Sequence, residues 1–300
     1  VRARSTKGRA ITTALLARLP LPQPDEDGDK DDRGTALVVG GSTEVAGAVL
    51  LAGVGALRAG AGKLQLATVR DAASALGIAV PEALVVALPQ TRSGEIAGSR
   101  AAALLARHAE GTTALLVGPG MSSDRAARAM LVPLLRRLDE HAVVVLDAGS
   151  IDAIRPEPTL LHSRRGQAVI TPHAGEMASL LGIPKERIER EPAAVAIDAA
   201  RRFGAVVALK GAESWIATPD GPLYHYTGGT VGLATSGSGD TLAGVIAGLA
   251  ARGASPTTAA VWGVYLHGAA GRALARRMGR VGFLARELLD EIPPLLRRLG

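Results

Sequence analysis

Apolar runs alternate with amphipathic stretches along most of the 300-residue chain. Apolar, β-rich runs predict strands at 36–40, 63–69, 83–88, 114–118, 142–147, 167–171, 205–210 and 214–218. Several are apolar at every position, among them Leu115-Leu116-Val117 and Val143-Val144-Val145-Leu146, as expected of strands covered on both faces of a parallel sheet. Helical periodicity lies between them at 45–60, 98–109, 123–139, 174–181 and 193–203. After the last strand the chain turns helical, at 239–252, 257–279 and 282–299. The pattern predicts an α/β fold in which helices sandwich a sheet and a C-terminal helical block closes it. Residues 1–33 read as an N-terminal helix and an acidic linker. Nothing within 34–300 is polar enough or long enough to divide it, and no internal repeat is present, so it is expected to form one catalytic domain.

Composition narrows the chemistry. The chain has no Cys, which excludes disulfides, thiolate nucleophiles and iron–sulfur clusters, and only seven aromatic residues, too few for a base-stacking surface. The net charge of +6 suggests a polyanion partner, but the distribution argues against nucleic acid. Of 34 basic residues 29 are Arg, and the excess sits at the ends, with five basic and no acidic residues in 1–20 and seven basic against three acidic in 270–300. Residues 25–32, beginning Asp25-Glu26-Asp27, read as an acidic surface loop. The longest nearly apolar run, 45–57, is too short to span a bilayer. The basic start at Arg2, Arg4, Lys7 and Arg9 is followed by no signal-peptide pattern, so a cytoplasmic enzyme with no membrane partner is expected.

Ligands of open α/β sheets bind where strand ends lead into helix N-termini. Five such junctions are rich in Gly and polar residues: Gly40-Gly41-Ser42-Thr43, Gly118-Pro119-Gly120, Asp147-Ala148-Gly149-Ser150, Thr171-Pro172-His173-Ala174-Gly175-Glu176 and Ser236-Gly237-Ser238-Gly239-Asp240. The last precedes an apolar helix, so Gly237, Ser238 and Gly239 would offer backbone N–H groups and a helix N-terminus to a phosphate. Asp240, in the first turn, would face the same point and accept a proton from a hydroxyl. Alone, Asp240 would read as an acid stabilising a helix start; its neighbours favour chemistry. His173 stands in a strand-end loop within reach of a ligand, and Glu176 is placed to hold water around Mg2+, although a turn His and a helix-start Glu are each common. Lys210 ends a strand at a tight Gly turn, where it is either a phosphate ligand or a solvated hairpin charge. No Walker A loop, dinucleotide GxGxxG, HExxH or GxSxG is present. Gly53, Gly55 and Gly60 read as close helix packing. Phosphate chemistry without a P-loop remains.

The ordered set VVGGS (38–42), GAVLLAGVGALRAGAGKL (47–64), VGPGM (117–121), VITPHAGEM (169–177), ALKGAES (208–214), GLATSGSGDTLAGVIAGL (232–249) and YLHGAAG (265–271) closely resembles the ADP- or ATP-dependent NAD(P)H-hydrate dehydratases of the ribokinase-like superfamily, over residues 11–299. The resemblance implies a three-layer α/β/α sandwich. It also implies repair of hydrated NADH or NADPH by phosphorylation of the ring hydroxyl with ADP or ATP and elimination of phosphate, bacterial-type members typically using ADP. By position, Ala48, Gly120, His173 and Asp240 would contact the hydrated cofactor, and Lys210, Gly211, Ala212, Glu213, Ser214 and Gly239 the nucleotide, with Asp240 as base at its ordinary pKa. It further implies Mg2+ dependence, a homotetramer and a separate NAD(P)H-hydrate epimerase working alongside. Three positions depart from the family pattern: Asp147-Ala148-Gly149 replaces Asp-Ala-Asp, Gly228-Gly229 replaces Gly-Asn, and Arg272 stands where Asp is frequent. The alternative is a ribokinase-like kinase of a small hydroxylated metabolite or vitamin precursor. His173 favours the dehydratase, because resembling kinases more often carry Asn there.

Overall fold

The computed structural model describes residues 8–25, 27–122 and 124–299. Arg2, Arg4 and Lys7 of the basic start, Glu26 of the acidic run and Ser123 at the head of one predicted helix lie outside them. The described chain opens with β1 (Arg9–Ala10) and the one-turn α1 (Thr13–Leu16), whose first turn is capped by the Thr12 hydroxyl. Strands and helices then alternate: β2 (Thr35–Val39), α2 (Gly47–Arg58), β3 (Lys63–Val69), α3 (Arg70–Ala79), β4 (Ala83–Leu88), α4 (Gly98–Ala109), β5 (Ala114–Val117), α5 (Asp124–Leu135), β6 (Val143–Leu146) and β7 (Ala168–Ile170). There follow α6 (Ala174–Leu181), α7 (Lys185–Arg190), α8 (Pro192–Phe203), β8 (Val206–Leu209), β9 (Ser214–Ala217) and β10 (Leu223–Tyr226). The C-terminal helices are α9 (Ser238–Ala251), α10 (Pro256–Met278) and α11 (Ala285–Leu299).

The strands form one sheet in the order β1-β10-β9-β8-β7-β6-β5-β2-β3-β4. Strands β2 to β8 run parallel, β9 is antiparallel to both its neighbours, and β1 joins β10 in parallel. The eight strands predicted from the apolar pattern lie within one residue of their expected ends. Strand β10 escapes the pattern because its sequence, Leu-Tyr-His-Tyr, is short and half polar. Helix α3 follows β3 with no intervening loop and no side-chain cap, and α7 carries one buried apolar residue, Ile188, so neither has a start signal or a stripe.

The alternation of side chains across the pleat builds the three layers. Ala36, Val38, Leu116 and Val145 face a core shared with Val49, Ala52, Val245, Leu266 and Leu288 of α2, α9, α10 and α11. Leu37, Leu115, Val117, Val144 and Leu146 face the other, with Leu105, Met130, Leu134, Met177 and Ala199 of α4, α5, α6 and α8. Every one of these strand residues is fully buried, which makes the fold α/β/α.

Small residues bring α2 and α9 into backbone contact. A Cβ on Gly244 or Gly248 would lie 2.0 or 2.2 Å from the carbonyl oxygens of Ala52 and Ala56, while Gly55 faces the Thr241 carbonyl from the other side. Of the three glycines expected to pack, Gly60 instead lies beyond the helix end, with φ +109 against the Arg252 side chain. The crossing fixes where α9 begins, and therefore where its N-terminus points. No helix among the described residues is long and apolar enough to cross a membrane.

Candidate active site

The chain winds outward from β2 in both directions, through β3 and β4 on one side and β5 to β8 on the other, so β2 and β5 flank a switch point. Their C-terminal loops are stitched together. Gly41 N–H donates to the Pro119 carbonyl at 2.7 Å, and a Cβ on Gly40 would lie 2.2 Å from that oxygen. Ala48 and Gly120 meet here, since a Cβ on Gly120 would lie 2.9 Å from that of Ala48.

A second group gathers at the ends of β7 and β8. Pairing continues one step beyond Pro172: Lys210 N–H donates to the Pro172 carbonyl, and His173 and Lys210 form a parallel bridge side by side. His173 caps α6. Its Nδ1 accepts from Gly175 and Glu176 N–H at 3.0 and 3.2 Å, while Glu176 Oε2 accepts from His173 N–H at 2.8 Å, a complete capping box. Because Nδ1 is the acceptor, the ring proton of the neutral form sits on Nε2, which lies on an exposed side chain 3.6 Å from Glu176 Oε1.

Lys210 is the hub of the charges. Its Nζ donates to Asp147 Oδ1 at 2.8 Å, lies 3.9 Å from Glu176 Oε2, and stands 3.3 Å from where a Cβ on Gly239 would be. Asp147 is 2% exposed and also accepts from Thr171 Oγ1 at 2.6 Å. Burial alone would lower the Lys210 pKa, but Asp147 and Glu176, helped by Asp240, outweigh it and push it up. Asp240 does not keep its ordinary pKa. Burial first, then repulsion from Asp147, raises it to about 6 against the opposing pull of Lys210. A carboxylate with that proton affinity is a better-matched base at neutral pH than an ordinary Asp.

Helix α9 opens on Gly237 at φ +86, a left-handed turn that glycine adopts without strain. Of the amides in the expected anion loop, that of Ser238 is used internally, on the Thr235 carbonyl. Those of Gly239 and Asp240 make no backbone hydrogen bond among the described residues, so these two are offered at the positive end of the helix. Ser238 Oγ pairs with His267 Nε2 at 2.9 Å. Burial, with repulsion from Lys210, outweighs the Ser238 hydrogen bond and depresses the His267 pKa to about 4, so this ring is neutral at physiological pH.

A cavity of about 790 Å³ opens in front of these groups. His173, Lys210, Gly211, Ala212, Ser214, Ser238 and Gly239 line it together. Gly237, Glu213, Glu176 and Asp240 do not: Gly237 backs onto Leu51 and Ala285, the Glu213 carboxylate pairs with His225 Nε2 at 2.7 Å, where His225 stacks on Trp215, and Glu176 and Asp240 are half-buried beside Lys210. Ala48 and Gly120 lie at the separate β2/β5 crevice.

Residues 36–294 match the family described as NAD(P)H-hydrate dehydratase. The chain belongs to that family. It is 49% identical over 293 residues to the ADP-dependent (S)-NAD(P)H-hydrate dehydratase of Xanthomonas campestris, covering 97% of each chain. Among solved structures it superposes on a ribokinase-like superfamily protein from Enterococcus faecalis with TM-score 0.83 at 26% identity, covering 97% of this chain and 96% of that one. It also superposes on the ADP/ATP-dependent NAD(P)H-hydrate dehydratase of Bacillus subtilis, co-crystallised with ATP and Mg2+, with TM-score 0.80 at 27% identity, covering 99% and 100%.

Within this dehydratase-family site, three residues carry geometry that motif reading did not assign. Asp147 holds Lys210 and is itself braced by the Thr171 hydroxyl, and His267 holds Ser238 from α10. The available signal for Asp147 was an acid ending an otherwise apolar strand. The donor set also bears on Mg2+. Among the described residues no three His, Cys, Asp or Glu side chains are grouped to hold a metal, and the carboxylates of Asp147 and Glu176 face Lys210. The partly exposed carboxylate of Glu176 is the hard oxygen donor at this site of the kind that Mg2+ prefers.

Proposed function

We propose that this chain is an ADP-dependent (S)-NAD(P)H-hydrate dehydratase, repairing hydrated NADH or NADPH to NAD(P)H with release of AMP and phosphate. The observation that carries the mechanism is the placement of Asp240, a carboxylate of raised pKa, in the same helix turn as two free amides and next to Lys210. Asp240 takes the proton of the ring hydroxyl as that oxygen bonds to the terminal phosphorus of ADP and AMP leaves. The amides of Gly239 and Asp240 and the Lys210 ammonium stabilise the charge on the transferring group. The lone pair of the ring nitrogen then expels phosphate from carbon, and loss of a proton from the adjacent carbon restores the dihydronicotinamide. Glu176 would hold Mg2+ through water, and the ion would supply charge neutralisation at the phosphates. His173 Nε2–H, Ala48 and Gly120 contact the hydrated cofactor, and Lys210 to Ser214 with Gly237, Ser238 and Gly239 surround the nucleotide. Residues 34–300 form the catalytic domain of a cytoplasmic homotetramer, working with a separate epimerase. The reading is tested by incubating the protein with NADH hydrate, Mg2+ and ADP: dihydronicotinamide absorbance returns, and its failure to return with ADP and with ATP contradicts the assignment.

Two further outcomes follow from the site. Because Asp240 must be ionised to act, turnover falls about tenfold per pH unit below its pKa of about 6. A pH–rate profile that stays level down to about pH 4.5, where an ordinary Asp is still ionised, contradicts this. His173→Asn retains a capping side chain while withdrawing the ring, so stability holds within about 0.5 kcal/mol and KM for the hydrate rises about tenfold. His173→Ala loses the cap too, at about 1 kcal/mol. Denaturation and steady-state kinetics of both variants check the separation, and an unchanged KM removes His173 from the substrate contacts.

A further inference from the structure

Part of the cavity wall is made by the segment between β10 and α9, from which Gly229, Thr230, Val231, Leu233, Ala234 and Thr235 face the cavity. Most of this segment has no regular structure; its single turn, Val231–Leu233, is capped by Thr230 Oγ1, which accepts from Gly232 N–H. Contacts from α10 and beyond fix its position. Leu233 packs on Gly271, where a Cβ would lie 2.7 Å from it, and Gly232 sits beneath the Phe283 ring. The root of the segment, where it leaves β10, is held by two side chains, Arg272 and Tyr226, whose hydroxyl donates to the Gly228 carbonyl at 3.4 Å. Arg272 Nη1 donates to Tyr226 Oη at 2.5 Å and to the Gly228 carbonyl, and its guanidinium lies over the Tyr226 ring, 5.7 Å from the centroid.

We propose that Arg272 is a positioning residue for the nucleotide: with Tyr226 it latches residues 228–230 so that the wall of the cavity keeps the shape that receives the adenine nucleotide. Three observations support the latch. Tyr226 is itself a lining residue, 5% exposed, pressed so closely against α10 that a Cβ on Gly268 would lie 2.3 Å from its Cε1. A Cβ on Gly228 would meet Arg272 Nη1 at 2.2 Å and the Tyr226 ring at 2.6 Å, so a side chain there would have to displace the guanidinium and the ring. Arg272 also forms no ion pair among the described residues, so both hydrogen bonds of Nη1 go to the root of the wall. Gly228, which the family pattern shares, makes space for the guanidinium, and the guanidinium that departs from the pattern at 272 holds the glycine's carbonyl. An Asp at 272 would offer that carbonyl no hydrogen.

The inference rests on the cavity being the nucleotide site, and the test separates the two. ADP binding to the full chain is measured by calorimetry, without turnover, for the native protein and for Arg272→Met, Arg272→Lys and Tyr226→Phe, alongside steady-state kinetics. ADP binding by the native protein stands for the nucleotide site itself. The latch predicts that Arg272→Met weakens ADP five- to twentyfold and raises KM for the nucleotide by the same factor, leaving KM for the hydrate and kcat within about twofold. Arg272→Lys, which restores one donor, recovers part of the loss. Tyr226→Phe shifts in the same direction, and combining it with Arg272→Met adds little, because both remove one contact. Native-like ADP affinity in Arg272→Met overturns the latch while leaving the nucleotide site standing. A parallel loss of kcat, hydrate KM and melting temperature overturns it too, by assigning Arg272 to general stability; Arg272→Lys provides the comparison if the Met variant fails to fold.

Discussion

Asp240→Asn abolishes most of the turnover, by about 10²–10⁴-fold, while ADP affinity stays within a few-fold of native. The amide keeps the shape and the N–H groups of the α9 turn, so phosphate binding survives, but it has no lone pair with the proton affinity to accept the hydroxyl proton. The same variant carries a stability signature that a simple loss of structure would not produce. The folded-state pKa of Asp240 is raised, to about 6. The associated stability is thus fully present below the unfolded value near 4 and is lost as pH rises through 6, where the buried carboxylate ionises next to Asp147. Asn carries no such penalty, so the melting temperature of the variant exceeds that of the native protein above pH 6, and the margin closes toward pH 4. A variant that retains turnover, or is less stable at pH 8 than the native chain, removes Asp240 from the role of strained base.

Lys210→Met is expected to lose both stability and activity. Among the described residues Lys210 is the only cation bonded to Asp147, which is 2% exposed, and it also faces Glu176 and Asp240. Withdrawing it leaves buried carboxylates repelling each other, a loss of about 3–5 kcal/mol in denaturant unfolding. It also removes the pull that now lowers the Asp240 pKa, so the acidic limb of the pH–rate profile moves above 6. The double variant Lys210→Met/Asp147→Asn returns much of the stability, because the orphaned charge is gone, but not the turnover, because no cation is left for the phosphate. If Lys210→Met melts like the native protein, the ammonium is not the centre of the site's electrostatics.

The central strands and the anion loop were legible because each carries its signal locally. Val143-Val144-Val145-Leu146 is apolar throughout, and Gly237-Ser238-Gly239-Asp240 abuts the helix it opens. The short β10 and α7 carried too few apolar positions to show a period, and α3 followed its strand without a break. In the site, motif position gave His173, Lys210 and Asp240, but it could not give their partners. Asp147 reaches Lys210 across 63 residues and Ser238 reaches His267 across 29, separations that only the strand order and the α9–α10 packing bring together. Glu213 illustrates the converse: its place in a motif next to Lys210 says nothing of a side chain that turns away to His225. The raised pKa of Asp240 belongs to the same class, since it arises from burial and from charges on other strands.

The most direct measurement is product accounting in a single reaction of the full chain with NADH hydrate, Mg2+ and ADP, with an ATP arm and Asp240→Asn as control. NADH, AMP and phosphate appear in equal amounts in the ADP arm and are absent with the Asn variant. Accumulation of a stable phosphorylated product, or nucleotide consumption with no NADH recovered in either arm, contradicts a dehydratase built around Asp240.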